Sequence, residues 1–237
     1  MMTPMRARRV VLTAVCGLLW LPAAGQSQAL VQPCPVATLA PPQMEGIEQY
    51  VAVEQYRPCP PPNATRQDFT VTTDFGDGVI AETPFREDDP LWFIGAMHAY
   101  RRAGTYELTG SATDRRTGEQ LTVGRTITIP NAPLFALARR RPIFVAGHRQ
   151  RRTLARFHDD NRLAETTDYQ TVIDWGDGSR STATAVKVGG DFAVIGSHRY
   201  RSGGRREISV SVRDDRGATL ALAARALVRR ASPRRRR

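Results

Sequence analysis

Lysine is almost missing from this chain of 237 residues: Lys187 stands alone among 34 cationic side chains, and the rest are arginine. An excess this lopsided is what a GC-rich genome produces, and it selects no ligand by itself. Aromatic residues are few, at 7%, so any core must be built mainly from Val, Ile, Leu and Ala. Aromatic platforms are not interleaved with the cations, which excludes sequence-specific nucleic-acid recognition by base stacking. No Gly-x-Ser-x-Gly, no His-Glu-x-x-His and no phosphate-cradling glycine loop is present, which removes the commonest hydrolase and nucleotide-binding signatures. Cysteine is scarce as well. Cys16, Cys34 and Cys59 form no Cys-x-x-Cys and have no histidine nearby, so neither a zinc finger nor a redox dithiol is encoded. What remains is 41% apolar and 24% charged, an ordinary globular composition. The length accommodates one or two domains.

The first residues read as an export signal. Arg6, Arg8 and Arg9 precede an apolar run from Val10 to Leu21, and Ser27-Gln28-Ala29 fits a small-x-small cleavage site. The run is shorter than the ~20 residues that span a bilayer. An uncleaved anchor is the competing reading, and a lipoprotein is disfavoured because Thr13-Ala14-Val15 is a poor lead-in to Cys16. Secretion leaves Cys34 and Cys59 as an even pair in an oxidising compartment, where a disulfide is expected. Asn63-Ala64-Thr65 is formally a glycosylation sequon.

Self-similarity organises the rest. The segment from Asp68 through Asp74-Phe75-Gly76-Asp77-Gly78 returns from Asp168 through Asp174-Trp175-Gly176-Asp177-Gly178, an offset of 100. His98 and Tyr100 return as His198 and Tyr200, Gly104 as Gly204, and Asp114 as Asp214. The mature chain therefore reads as two copies of one domain of roughly 100 residues each, a common domain size. Both copies read as strands. Tyr169, Thr171, Ile173 and Trp175 alternate with more polar positions, as do Ile208, Val210 and Val212. Asp-Gly supplies a two-residue hairpin turn. The segment from Ala218 to Val228 is rich enough in Ala and Leu to be helical alone, but Leu220, Leu222 and Ala224 alternate, which favours strand. Short strands without amphipathic helices make β-sandwiches, and the expected fold class is all-β, two tandem immunoglobulin-like sandwiches.

Asp-Trp-Gly-Asp-Gly, then His-x-Tyr, a Gly and an alternating strand ending in Asp214-Asp215-Arg216-Gly217 resembles the PKD domain, in particular the PKD-like repeats of bacterial secreted and surface proteins. The second copy fits along its length. In the first, Phe75 stands for the tryptophan and apolar Val79 for Ser179, while the second departs at Arg206 from Tyr106. Asn131-Ala132-Pro133 resembles the linker between such repeats. The resemblance implies a non-enzymatic interaction or scaffold module that contacts protein or carbohydrate at a cell surface, with no cofactor.

The expected layout is a signal peptide over residues 1–29, a proline-rich arm over 30–42, sandwiches over 43–132 and 133–228, and a basic tail over 229–237. Asp74, Gly76, Asp77, Gly78, His98 and Tyr100, with Asp174, Trp175, Gly176, Asp177, Gly178, His198 and Tyr200, are expected to be structural parts of the repeat. Asp174 and Asp177 lie three apart beside a glycine, and a calcium loop is the alternative; the EF-hand ligand spacing is missing. His158-Asp159-Asp160-Asn161 is a second carboxylate-rich loop. No catalytic residue and no metal ligand is assigned, because equivalent repeated positions do not build an asymmetric active site.

The arginines offer a second functional class. Arg229, Arg230 and Arg234, Arg235, Arg236 and Arg237 form a tail that could hold acidic polymers through charge and counterion release. Charge is unevenly placed along the chain: residues 30–132 carry −5, 133–228 carry +7 and 229–237 carry +6, within a total of +11. This polarity favours head-to-tail attraction that weakens as salt rises.

Overall fold

The structure is a computed structural model and describes residues 34–35, 42–57, 65–83, 92–137 and 141–231. The signal segment, Cys59 with the expected disulfide, Asn63 and Ala64 of the sequon, and Arg234 to Arg237 lie outside the described residues. Fifteen strands dominate the described chain. They are β1 (Cys34–Pro35), β2 (Gln49–Arg57), β3 (Phe69–Asp74), β4 (Ile80–Thr83), β5 (Trp92–His98), β6 (Gly104–Asp114), β7 (Gln120–Ile129), β8 (Leu134–Ala136), β9 (Ile143–Val145), β10 (Gln150–Asp159), β11 (Tyr169–Asp174), β12 (Arg180–Val188), β13 (Asp191–His198), β14 (Gly204–Asp214) and β15 (Thr219–Arg229). The fold is all-β.

Strands β1-β2-β5 form one sheet and β4-β3-β6-β7 a second; their facing sides enclose Val51, Val53, Phe69, Val71, Phe75, Ile94 and Leu108. In the C-terminal half a single ladder runs β8-β10-β13-β12-β11-β14-β15-β9. It is continuous because β12 changes sheets midway. Arg180 to Ala183 pair with β11, and Thr184 to Val188 pair with β13. This ladder wraps a second cluster containing Phe144, Leu154, Phe157, Ile173, Trp175, Phe192 and Val210.

Burial follows the alternation in sequence. Tyr169, Thr171 and Ile173 face inward on β11, and Ile208, Val210 and Val212 do so on β14. The Ala- and Leu-rich C-terminal segment is the strand β15. It pairs with β14 from Gly204↔Val228 to Arg213↔Thr219 and buries Ala224, Ala226 and Val228. A helix there would forfeit that ladder and turn part of its apolar set to water.

The pairings β2–β5 and β10–β13 each carry an irregularity in register, between Ala52 and Glu54 and between Thr153 and Ala155. Val53 and Leu154, the extra residues, are both buried. An extra strand residue bends the strand and re-aims its side chain, which here delivers one aliphatic group to each core.

Candidate functional site

The two Asp-x-Gly-Asp-Gly segments are tight turns fixed by their own side chains. Asp74 Oδ1 accepts from the Gly76 amide at 2.9 Å, and Asp174 Oδ1 accepts from the Gly176 amide at 3.0 Å. Asp77 and Asp177 each accept from the amide two residues on, at 3.2 Å. Such aspartate-to-backbone bonds replace a ladder bond in a turn. Gly76 and Gly176 are required by position. Their φ values are 74° and 70°, and a Cβ would fall 2.5 Å from the Glu107 carbonyl oxygen in one and 2.2 Å from that of Glu207 in the other.

The other carboxylate oxygen of each turn aspartate reaches a histidine 21 residues later. Nε2 of His98 lies 2.8 Å from Asp77 Oδ2, and Nε2 of His198 lies 2.8 Å from Asp177 Oδ2. Each imidazole lies flat on the aromatic ring that opens its turn. His98 stacks on Phe75 at 4.1 Å, and His198 on Trp175 at 4.5 Å. Tyr100 and Tyr200 meet the same imidazoles edge-on at 4.6 Å and 4.5 Å. Their hydroxyls donate to the Phe75 and Trp175 carbonyls at 3.1 Å and 2.9 Å. Burial pushes both phenols above the ordinary tyrosine range, so they stay donors. In this way the hub ties together a turn, the end of β5 or β13 and the following loop.

Electrostatics agree with a holding role. Burial opposes ionisation of Asp177, but hydrogen bonds from Ser179 and His198 outweigh it and keep its carboxyl below the ordinary value. The Gly176 amide and then Arg180 depress Asp174. The hydroxyl beside the second pair, Ser179 Oγ, donates to Asp177 Oδ1 at 2.6 Å and not to the imidazole. A nucleophile–base–acid relay needs the histidine between the hydroxyl and the carboxylate; here the carboxylate lies between. Among the described residues no three His, Cys, Asp or Glu side chains converge as a metal site. In the His158 loop, Asp159 Oδ2 accepts from Tyr169 at 2.6 Å, and His158 Nδ1 lies 3.0 Å from Asp191.

A second constellation, which sequence reasoning missed, lies where the two cores meet. Buried Glu45 accepts from the Ala103 amide with Oε2 and from the Ala132 amide with Oε1 at 3.2 Å. The linker is thereby fastened to the N-terminal half. Asn131 Nδ2 donates to Asp214 at 3.1 Å, and Asn161 Nδ2 donates to the Arg101 carbonyl at 3.0 Å. Arg101 lies 3.2 Å from Asp168, and Arg102 lies 3.4 Å from Asp215. Gly46 also packs tightly there: a Cβ on it would lie 2.3 Å from Asn161 Oδ1. The available signal was a break in the repeat. By backbone hydrogen bonding Glu45 and Gly46 match Ala146 and Gly147: both glycine amides donate to the Tyr100 or Tyr200 carbonyl at 2.8 Å. A glutamate in place of alanine marks the junction.

These contacts also refine the charge polarity. At the junction the acidic half supplies the arginines, Arg101 and Arg102, and the basic half supplies the aspartates, Asp168 and Asp215. Local pairing therefore runs opposite to the net charges of the halves. Arg229 and Arg230 are exposed at the end of β15.

No protein-family model and no curated protein matches the chain. Among solved structures it is similar to fibronectin(III)-like modules of Clostridium thermocellum CbhA, at 13% identity over 84% of this chain and 95% of that one, with a TM-score of 0.29. It is also similar to an ICAM-5 D1-D4 ectodomain fragment, at 13% identity over 81% and 52% of the two chains, with a TM-score of 0.35. Chicken VE-cadherin EC1-2 matches at 18% identity over 78% and 97%, with a TM-score of 0.31. At these identities and scores the likenesses assign no residue a role.

Proposed function

We propose that the chain is a non-enzymatic, PKD-like scaffold or spacer, secreted or periplasmic, that presents contacts to protein or carbohydrate at a bacterial surface. The observation that carries this reading is the junction. Glu45, Asn131, Asn161, Arg101 and Arg102 tie the linker and both halves together through direct bonds. A spacer works by holding its ends at a set separation, and such stitching supplies that. The two histidine hubs support the same reading, since each is engaged on several sides in bracing a turn. Export supplies the compartment, through the signal segment read in residues 1–29. Small-angle scattering on the full chain tests the stiffness. The maximum dimension should stay constant from low to moderate salt, and Arg101→Ser with Asn161→Ala should broaden the distance distribution. A wild-type profile that already requires a broad family of shapes would oppose the reading.

A second reading, a polyanion-binding surface protein working through the basic second half and tail, is favoured by the +7 and +6 carried by residues 133–228 and 229–237. Chains ending at Val228 should bind a sulfated polymer less well at low salt if the tail is the working part.

A further inference from the structure

One groove in the C-terminal half is not explained by packing. It has a volume of about 530 Å³ and is lined by Arg141, Ile143, Arg205, Arg206, Arg225 and Leu227. Its floor is set by register. Arg205 pairs with Leu227, which pairs with Ile143, so the three stand in a row across β14, β15 and β9. Leu227 and Ile143 are exposed. The one acid in the lining, Glu207, lies 3.6 Å from Arg225, and both are about four-fifths exposed. A pair that open to water holds its partners weakly. Arg206 faces the other side of β14, opposite buried Ala226, so three arginines (Arg141, Arg205 and Arg225) against one glutamate leave the groove positive.

The groove has an origin in the sequence. In the N-terminal half Tyr106 packs on Tyr100 at 4.4 Å and donates to the Arg102 carbonyl at 2.6 Å. In the C-terminal half Tyr200 packs instead on Phe144 of β9, at 5.1 Å. Seating Phe144 inward turns its neighbour Ile143 outward beside Leu227. Arg206, which stands where the first half has Tyr106, faces inward opposite buried Ala226 and donates to Ser202 Oγ and to the Arg205 carbonyl, both at 3.1 Å. The outward face that remains carries Arg141, Arg205 and Arg225 with aliphatic ground between them.

We propose that this groove binds a carboxylate-bearing polysaccharide of the uronate type. Arginine forks pair with carboxylates through two parallel bonds, and Ile143 and Leu227 offer a flat apolar surface for the C–H face of a sugar ring. Nucleic acid is the poorer fit, because no aromatic side chain among the lining residues offers a stacking platform. The inference rests on the second reading above and narrows it from the tail to the groove.

The test is titration calorimetry on the full chain with an oligogalacturonate at low salt, with a neutral galactan oligomer and inorganic polyphosphate alongside. The oligogalacturonate should bind and the neutral oligomer should not. Arg205→Ser and Leu227→Glu, both at exposed positions, should each weaken binding by about tenfold or more, the scale of one lost charge-assisted bond. Arg206→Tyr, on the inward face of β14, should leave binding unchanged, and a tenfold loss there would overturn the placement of the site on the outward face. Failure of the oligogalacturonate to bind overturns the proposal. So does polyphosphate binding as tightly with the same dependence on the variants. If the groove variants are silent while removal of residues 229–237 abolishes binding, the groove is wrong and the tail reading survives.

Discussion

Trp175 occupies the space that a side chain on Gly196 would need: a Cβ built there would lie 2.6 Å from Trp175 Cη2 and 2.7 Å from Ile173 Cδ1. One hundred residues earlier the smaller Phe75 shares its core with Ala96. Ring and small residue therefore change together. Gly196→Ala is expected to cost about 1–3 kcal/mol, the range for overpacking a close-packed core. Adding Trp175→Phe should recover part of that loss, so the two changes should be non-additive in urea unfolding. Strict additivity would mean that the contact is slack.

Thr73 is fully buried on β3, and its hydroxyl has no partner among the described residues, whereas the matching position on β11 is Ile173. Thr73→Val keeps the shape and removes a stranded polar group. Stability should rise by about 1 kcal/mol, the low end of the penalty for an unsatisfied buried group. A lowered melting temperature would place an acceptor beside that hydroxyl.

The histidine hubs should behave as braces. His198→Ala removes a stacked ring and the bond to Asp177, and should cost about 2 kcal/mol. His98→Ala should cost a similar amount through Phe75 and Asp77. Asp177→Asn combined with His198→Ala should cost less than the two singles together, because the second change removes a bond already broken. Denaturant midpoints of the three variants decide it.

The junction makes a prediction about pH. Burial raises the Glu45 carboxyl above its ordinary 4.5; bonds from the Ala132 and Ala103 amides oppose the shift, and repulsion from Asp159 and Asp214 adds to it. As pH rises from about 4.5 through the raised folded value, the unfolded chain sheds this proton first. The contribution to stability is therefore largest at and below the lower bound and falls across that window. Asp174 acts in the opposite sense. Its depressed carboxyl contributes stability above the ordinary 3.8, and this is lost as pH falls below it. Glu45→Gln should flatten the decline in urea midpoint above pH 4.5 and leave the acid limb unchanged. An unaltered slope would remove Glu45 as its source.

The strands were legible where one face is buried. Ile208, Val210 and Val212 announce β14, and even β15 could be argued from the alternation of Leu220, Leu222 and Ala224. Pairing partners were not legible. The passage of β12 from one sheet to the other, and the parallel addition of β9 to β15, depend on contacts that no local pattern encodes. In the hub the repeat pointed to His198, Asp177 and Trp175 separately, but their stacking joins residues 21 or more apart. Glu45 was hidden for another reason: its partners are backbone amides, which every residue except proline possesses. The groove is a third case. Arg206 was visible as a departure from Tyr106, but the consequence required seeing Phe144 pack on Tyr200 and so turn Ile143 outward beside Leu227.

The central claim is that the two cores are held as one stiff unit through the junction. Residual dipolar couplings of backbone amides, measured in a weakly aligning medium, test it most directly. The account predicts one alignment tensor, of the same magnitude and orientation, for residues 65–129 and 143–229, and two differing tensors once Arg101→Ser and Asn161→Ala are introduced. Differing tensor magnitudes in the wild-type chain would show the halves moving independently and would contradict the account.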